Sequence, residues 1–426
     1  MGRPPRAAPG PLARPTLATL LVVWFAPSCL AEGPQPPSLL SRGLVPNLQS
    51  SPPDSFVRPY LGALSGYDSG PREGPFQEID GGLDALRAGR RSTLHLDYRF
   101  GLRPDRSTHG LNLDTSLRLS HRWTLQLRDL ASSSSFGEAP QFAGTAGFLP
   151  DPGPEVLNSR TIINTTLADL VFHASVRTSL SIGGDGFAVE RQHRGLADVR
   201  GWRARADLAH RYHRYRTLTF SYAFTHFDHT RQFGGADYAV YAVGHSARLG
   251  KHTELDLLAG IGQLRSSGVR AVELDPEIAG ILGVSRGAEI FRLRTFNPHW
   301  IAGWTQLFGR AALRFELARL ISDGGGLSGL ARQNQASLTL SAPLSPTSRL
   351  SANLAARTYR SLDTLLYDTT TATSGFTLSR RLSPRTEAVL RYHYSFYHFD
   401  RGLLHWFHRH QVAAGVVYHL SEAPSR

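Results

Sequence analysis

Alternation of apolar and polar residues over long segments is the feature that most constrains this chain. One clear run places apolar residues at every second position, at Ala388, Leu390, Tyr392, Tyr394 and Phe396. The positions between them hold mostly polar or charged residues, namely Glu387, Arg391, His393 and Ser395. A period of two over about ten residues is typical of a β-strand with one apolar and one polar face.

The same pattern recurs along the chain between residues 92 and 420, where alternating runs are joined in turn by short and long connections. The short turns lie near Ser120–Arg122, Ser175–Arg177, Tyr212–Tyr215, Leu249–His252, Leu307–Gly309, Leu344–Thr347 and Ser383–Arg385. The long connections are Ala131–Asn158, Asp185–Arg200, Gly262–Gly287, Ile321–Arg332 and Arg360–Thr371. This organisation predicts an all-β fold, a transmembrane antiparallel up-and-down β-barrel of about 16 strands, with 14 as the alternative.

Four segments follow from composition. Residues 1–31 combine early arginines, an apolar run and a small residue at Ala31, which predicts a cleaved signal peptide. The alternative is a lipoprotein signal with Cys29 acylated. Residues 32–91 are rich in Pro and Gly and predict a periplasmic segment or a plug, with a short helix possible over Gln77–Arg91. Residues 92–420 form the barrel, and 421–426 are a tail.

Overall composition argues against several classes of protein. Beyond the leader no run of 18 apolar residues occurs in this 426-residue chain, which argues against transmembrane helices. The net charge of +13 comes from arginines spread along the chain, with Lys251 the only lysine, so we expect no nucleic-acid binding. Cys29 is the only cysteine, and a mature chain without it has no disulfide.

The recurring turn exemplified by Leu382–Thr386, the leader and the closing strand together resemble bacterial outer-membrane β-barrels of the porin-2-like kind. The resemblance covers about residues 92–420 and implies a Gram-negative outer-membrane protein. Members of that mostly uncharacterised family are associated in part with polysaccharide export. This chain departs from the usual aromatic terminal residue, because six residues follow Leu420.

The charged residues of the polar strand faces are the candidate functional residues, because residues that face the lumen tune selectivity. We expect these side chains to line the pore: Arg99, Arg118, Arg128, Arg203, Arg205, Arg314, Arg357, Arg391, Asp97, Asp114, Asp207, Glu254, Asp256, Glu316 and Glu387. Their two signs nearly balance, which predicts weak ion selectivity. A network of structural ion pairs is the alternative interpretation.

Other residues give weaker signals. His226, His229, His405, His408 and His410 lack metal-site spacing and are better read as members of aromatic girdles. The Gly-rich segments Gly183–Gly186 and Asp323–Gly326 could fold inward as a constriction or remain surface loops.

A hydrolase would need a nucleophile and base in contact, for which Ser395 with His393 is the only suggestive arrangement. Strand neighbours two positions apart are about 7 Å from each other, so this pair cannot react directly. We therefore predict no enzymatic activity, no catalytic residue and no cofactor or metal.

The predicted function is an outer-membrane channel for passive diffusion of small hydrophilic solutes. The alternatives are a component of polysaccharide export, a surface-binding scaffold and, less favoured, an outer-membrane hydrolase. The expected partners are outer-membrane lipid, the outer-membrane assembly machinery and small solutes, and a homo-oligomer is possible.

Overall fold

The computed structural model describes residues 55–70, 73–134, 160–192, 196–229, 234–273, 275–323, 330–362, 368–400 and 406–420. These contain eighteen strands and one short helix. The strands are β1 (Phe56–Asp68), β2 (Gly74–Ala88), β3 (Ser92–Arg103), β4 (Arg106–Arg118), β5 (Trp123–Ser134), β6 (Thr161–His173), β7 (Thr178–Arg191), β8 (Val199–His213), β9 (Arg216–His229), β10 (Gly234–Arg248), β11 (Thr253–Glu273), β12 (Arg286–Phe308), β13 (Ala311–Ser322), β14 (Ala331–Pro343), β15 (Ser348–Ser361), β16 (Thr369–Arg381), β17 (Thr386–Phe399) and β18 (Trp406–His419). The helix is α1 (Pro276–Leu282), and within the described ranges no helix is long and apolar enough to cross a membrane.

Every strand pairs antiparallel with the strands before and after it, and the last strand pairs with the first. The closing pair runs from Tyr60 opposite His419 to Asp68 opposite Gln411. The sheet is therefore a closed barrel without free edges, which satisfies the backbone hydrogen bonds of every strand. The prediction of an all-β antiparallel up-and-down barrel is confirmed.

The predicted strand number was too low because the segment before residue 92 was taken for a leader or plug. Residues 92–420 do hold sixteen strands, β3 to β18. Phe56–Asp68 and Gly74–Ala88 add two more, so the barrel has 18 strands rather than 16 or 14. The helix considered over Gln77–Arg91 is for the most part strand β2. The predicted signal peptide and the tail lie outside the described residues.

Two long connections were also predicted too long. Strand β7 continues through Asp185 to Arg191, so the Gly-rich segment Gly183–Gly186 is part of the wall. Strands β11 and β12 extend through most of Gly262–Gly287 as one long hairpin, with α1 at its tip. Alternation was interrupted at these places by glycine, which removes the hydropathy contrast but still allows a paired strand.

The two ends of the barrel differ. At one end, called here the turn end, eight connections of two to four residues join β2 to β3, β4 to β5 and so on to β16 and β17. The other, the loop end, carries the connections that follow the odd-numbered strands. In four of the connections at the turn end a serine hydroxyl accepts hydrogen bonds from the backbone N–H groups two and three residues further along the chain. The serines are Ser120, Ser175, Ser345 and Ser383.

The seam between β1 and β18 depends on glycines that let the two backbones approach closely. A Cβ atom on Gly415 would lie 2.0 Å from the Ala63 carbonyl oxygen and 2.8 Å from the Leu64 Cα, both of which are backbone atoms. Since neither neighbour can rotate away, a larger residue there must push the strands apart.

We expect Gly415→Val to destabilise the barrel by about 1–3 kcal/mol, the usual cost of overpacking. The measurement is the urea midpoint of the refolded protein in detergent. Gly186→Ala is the matched control, because a Cβ on Gly186 has no atom within 4 Å. Equal midpoints for the two variants would show that the seam tolerates the extra atoms.

Candidate functional site

The interior of the barrel is the candidate site, and the register decides which residues face it. Residues directly opposite each other on neighbouring strands point to the same side of the sheet, and the side alternates along each strand. On one side lie large exposed apolar residues, among them Leu61, Ile79, Ile182, Tyr241 and Ile261. The other side carries most of the charged residues.

The charged face is the inner one. Arg106 on β4 donates a hydrogen bond of 2.9 Å to Asp68 on β1, three strands away. Side chains on strands so far apart converge only on the concave side of a closed sheet. The apolar face therefore points outward all round the wall.

All fifteen residues selected from the sequence lie on the inner face by this register. Three pairs form within the set. Arg99 Nη2 lies 2.6 Å from Asp97, Arg314 Nη2 lies 3.0 Å from Glu316, and Arg128 is bonded to Asp114 on the neighbouring strand. Six of the fifteen residues thus form local ion pairs with one another on the inner face.

Other members pair with inner residues that the sequence reasoning had not selected. Arg203 bonds Asp185 at 2.6 Å and Arg391 bonds Asp80 at 2.8 Å, while Arg205 bonds Asp169. Further contacts are Asp207 with Ser221, Glu254 with Arg248, and Glu387 with His419. Arg118, Arg357 and Asp256 face inward on β4, β15 and β11. Many of the selected charges thus have an opposite charge close by, which keeps the wall near neutral.

Asp68, at the loop end of β1, contacts side chains of three other strands. Its carboxylate accepts hydrogen bonds from Arg409 Nε at 2.9 Å and Nη2 at 2.7 Å, and from Gln411 Nε2 at 2.8 Å, both on β18. Arg106 adds a third side-chain donor, and Arg103 Nη1 lies 3.6 Å away. One carboxylate therefore connects β1, β3, β4 and β18 across the seam.

Farther round the wall, the end of β13 and the start of β14 lean into the barrel. Pairing of β12 with β13 stops at Trp300 opposite Arg319, whereas β13 and β14 stay paired up to Ser322 opposite Ala331. Beyond that point Asp323 Oδ2 lies 2.6 Å from Arg191 Nη2 on β7, and both side chains are 0% exposed.

This contact spans the interior. Strands β7 and β13 are six steps apart around the wall, about 29 Å at roughly 4.8 Å per step. An ion pair between them therefore requires the β13–β14 tip, defined here as Ile321–Asp323 with Leu330, to cross the loop-end mouth. The inward alternative for Asp323–Gly326 is thus correct at Asp323, and residues 324–326 lie outside the described ranges.

Apolar packing holds the tip in place. Ile321 and Leu330 belong to a buried cluster with residues of β6 to β11. The members on those strands are Ile163, Phe187, Val189, Val199, Phe227, Ala236, Tyr238, Val240, Ala242 and Leu264. Phe187 and Phe227 pack with ring centroids 5.7 Å apart. The mouth is therefore narrowed on one side by a contact between buried apolar side chains.

The histidines divide by face. His408 and His410 face outward and bond the Tyr394 and Tyr392 hydroxyls at 2.7 and 3.0 Å, as members of an aromatic band. His226 also faces outward and bonds Asp237 at 2.8 Å, whereas His229 is buried on the inner face. His405 lies outside the described residues. In the part of the chain that is described, no group of three His, Cys, Asp or Glu is placed to hold a metal ion.

The possible nucleophile Ser395 lies on the inner face of β17, directly opposite Arg409. It is 0% exposed, so the serine of the arrangement considered for hydrolysis lies buried in the wall.

Sequence reasoning missed Asp68, Asp80, Arg103 and Arg409, together with the Arg191–Asp323 contact. Asp68 and Asp80 were missed because β1 and β2 were not recognised as wall strands. Arg103 and Arg409 lie at positions where the alternation of their own strands predicts an inward side chain. Extending the alternating runs of β3 and β18 by a few residues would have found them. The contact between Arg191 and Asp323 joins distant strands, and no local pattern indicates it.

No family model matches the sequence, and no curated relative was found. Among solved structures, OccK2 (OpdF) of Pseudomonas aeruginosa, in complex with glucuronate, is 13% identical with a TM-score of 0.44, covering 86% of this chain and 99% of its own. OccK11 (OpdR) of the same organism is 15% identical with a TM-score of 0.44, over 86% and 96%. The ferric-catecholate import receptor Fiu of E. coli is 9% identical with a TM-score of 0.43, over 87% and 82%. These values are too low to support an inference, so the interpretation rests on the geometry of this chain.

Proposed function

We propose that this protein is an outer-membrane channel for the passive diffusion of small hydrophilic solutes. One observation carries the proposal, the closed wall of eighteen strands with an apolar outer face and a charged inner face. Such a wall is stable in a bilayer because its backbone groups are paired and its outer side chains match lipid. Barrels of about 16–18 strands are wide enough to enclose water.

The mechanism follows from the interior. Solutes diffuse through a lumen whose opposite charges alternate along the wall, as in Asp185–Arg203 and Asp80–Arg391. The β13–β14 tip narrows the mouth at the loop end, so it limits the size of what enters. Because the inner charges nearly balance, the channel exerts little preference for either sign of ion.

The export, assembly and membrane orientation of the barrel form part of the same proposal. Residues 1–31 direct export, the assembly machinery inserts the chain, and lipid covers the outer face, with the short turns in the periplasm. The outward aromatic residues toward the loop end of β17 and β18, such as Phe396 and Trp406, are assigned to one membrane interface, where aromatic girdles are found in such barrels. Association into a homo-oligomer remains a prediction.

The test is conductance of the refolded mature chain in a planar bilayer with a salt gradient. We expect discrete conductance steps and a reversal potential close to zero, since the wall is nearly neutral. Refolded protein that reaches the bilayer without conducting would contradict the channel. A strong preference for anions or cations would contradict the balanced lumen while leaving the channel intact.

A further inference from the structure

The eight connections at the turn end have an unusual charge composition. They are residues 89–91, 119–122, 174–177, 214–215, 249–252, 309–310, 344–347 and 382–385. Seven of the eight contain Arg or Lys, and none contains Asp or Glu. The protein's single lysine, Lys251, is among them. The loop end differs, because its described connections include acids such as Glu73, Asp105 and Asp198.

Seven of these basic side chains are exposed, and we call them the turn collar. They are Arg90, Arg91, Arg122, Arg177, Arg214, Lys251 and Arg385. Within the described ranges none of the seven forms an ion pair, although Arg214 lies over the Tyr215 ring at 5.1 Å. Many arginines of the lumen, by contrast, have a carboxylate partner. The collar is thus a ring of uncompensated positive charge.

Apolar side chains accompany the collar on the outer side. Val176, 90% exposed, precedes Arg177, and Leu382 lies three residues before Arg385 at the end of the outward set of β16. Leu119, Leu249, Phe308, Leu344 and Leu420 continue the outward sets of their strands in the same way and are also exposed. The apolar band therefore reaches the turns themselves. In the membrane setting of the proposed function, on which this inference rests, the collar would lie where hydrocarbon gives way to headgroups.

Hydrogen bonds from backbone groups to serine hydroxyls stabilise three of the turns that carry collar residues, and the basic side chains take no part in them. At Ser120, Ser175 and Ser383 the serine hydroxyl bonds the backbone N–H of the arginine two residues on, at 3.1–3.3 Å. The guanidinium groups stay available for other ligands.

We propose that the turn collar binds the phosphate groups of lipid headgroups in the leaflet next to the turn end. Guanidinium matches phosphate in two-point hydrogen bonding. Long basic side chains extend from apolar surroundings to the headgroup level. A basic residue near an anionic membrane surface gains about 1 kcal/mol, about a fivefold preference. A ring of such residues would select anionic phospholipid and fix the depth of the barrel.

The test compares spin-labelled phosphatidylglycerol with spin-labelled phosphatidylcholine at the barrel in vesicles of phosphatidylcholine, by electron paramagnetic resonance. The variant is Arg122→Gln, Lys251→Gln and Arg385→Gln together. The control removes three inward charges from the same three hairpins, as Arg118→Gln, Arg248→Gln and Arg381→Gln. The pairs share the β4–β5, β10–β11 and β16–β17 turns.

We expect the unmodified barrel and the control to prefer phosphatidylglycerol, and the collar variant to lose most of that preference. Salt near 1 M should reduce the preference of the unmodified barrel, since exposed charges are screened. If the unmodified barrel shows no preference for phosphatidylglycerol, the proposal is wrong. A soluble anionic partner would then be the alternative ligand of the collar. Equal loss in the control would also overturn it. Neither result bears on conductance, so the channel is tested independently.

Discussion

Asp323→Ala is expected to raise single-channel conductance and to lower the stability of the barrel. The variant leaves the Arg191 guanidinium buried without its carboxylate, which was 2.6 Å away. Loss of one partner of a buried ion pair costs about 3–5 kcal/mol. Since this pair holds the β13–β14 tip across the mouth, we expect the tip to swing back toward its own strands and the opening to widen. Conductance in planar bilayers and the urea midpoint in detergent measure the two effects.

The double variant Arg191→Met with Asp323→Leu is the control for this prediction. It replaces the ion pair by apolar side chains beside the cluster of Ile321, Phe187 and Val199, and such replacements are often neutral or stabilising. We expect its conductance to stay near that of the unmodified protein. If the single variant conducts no better than the double variant, the tip does not limit the passage.

Asp68→Ala is expected to have the second large effect, on both closure and ion selectivity. It removes the acceptor shared by Arg409, Arg106 and Gln411, and it leaves two arginines with side-chain exposures of 0% and 8% without that partner. The cost should again be about 3–5 kcal/mol, concentrated at the seam between β1 and β18. The surplus positive charge inside should move the reversal potential toward that of anions.

Asp80→Ala separates these two consequences. Asp80 is also an inner carboxylate of the first hairpin, but it bonds one arginine, Arg391, whose side chain is 41% exposed. We expect a similar shift of the reversal potential with a much smaller loss of stability. Equal destabilisation by the two variants would show that the wall responds to net charge and that Asp68 has no special role in closing the seam.

Much of the wall could be predicted from the sequence, and the reason is local. On β3 and β17, leucine and aromatic residues alternate with charged ones, so the sequence itself indicates one apolar and one polar face. The same alternation correctly placed the fifteen charged residues on the inner face of the barrel. Strands β1 and β2 were not predicted because their alternation of apolar and polar residues is weak. Pro59, Gly62, Gly66 and Gly82 stand where bulky or charged residues would make that alternation visible. One of those glycines, Gly66, lies where the seam brings backbones close together, because a Cβ atom there would be 2.1 Å from the Val412 carbonyl oxygen.

The arrangement of the interior could be predicted much less well. Ion pairs such as Arg205 with Asp169 join strands that are not neighbours, and their formation depends on the curvature of the closed sheet. The inward lean of the β13–β14 tip depends on where pairing with β12 ends, at Trp300. Neither the ion pairs between distant strands nor the inward lean of the tip produces a periodic pattern in the sequence.

Closure of the barrel by its first and last strands makes completion of the wall depend on both ends of the described chain. Asp68 and Arg409 are 341 residues apart in the chain, so the contacts that seal the seam form only after the whole wall has been synthesised and delivered. Until then two strands present unpaired N–H and C=O groups, each of which costs several kcal/mol in hydrocarbon. For a barrel in the membrane location proposed above, a chain truncated before β18 would keep those groups unpaired in hydrocarbon. Pairing of β18 with β1 would then restrict stable insertion to chains that carry both strands.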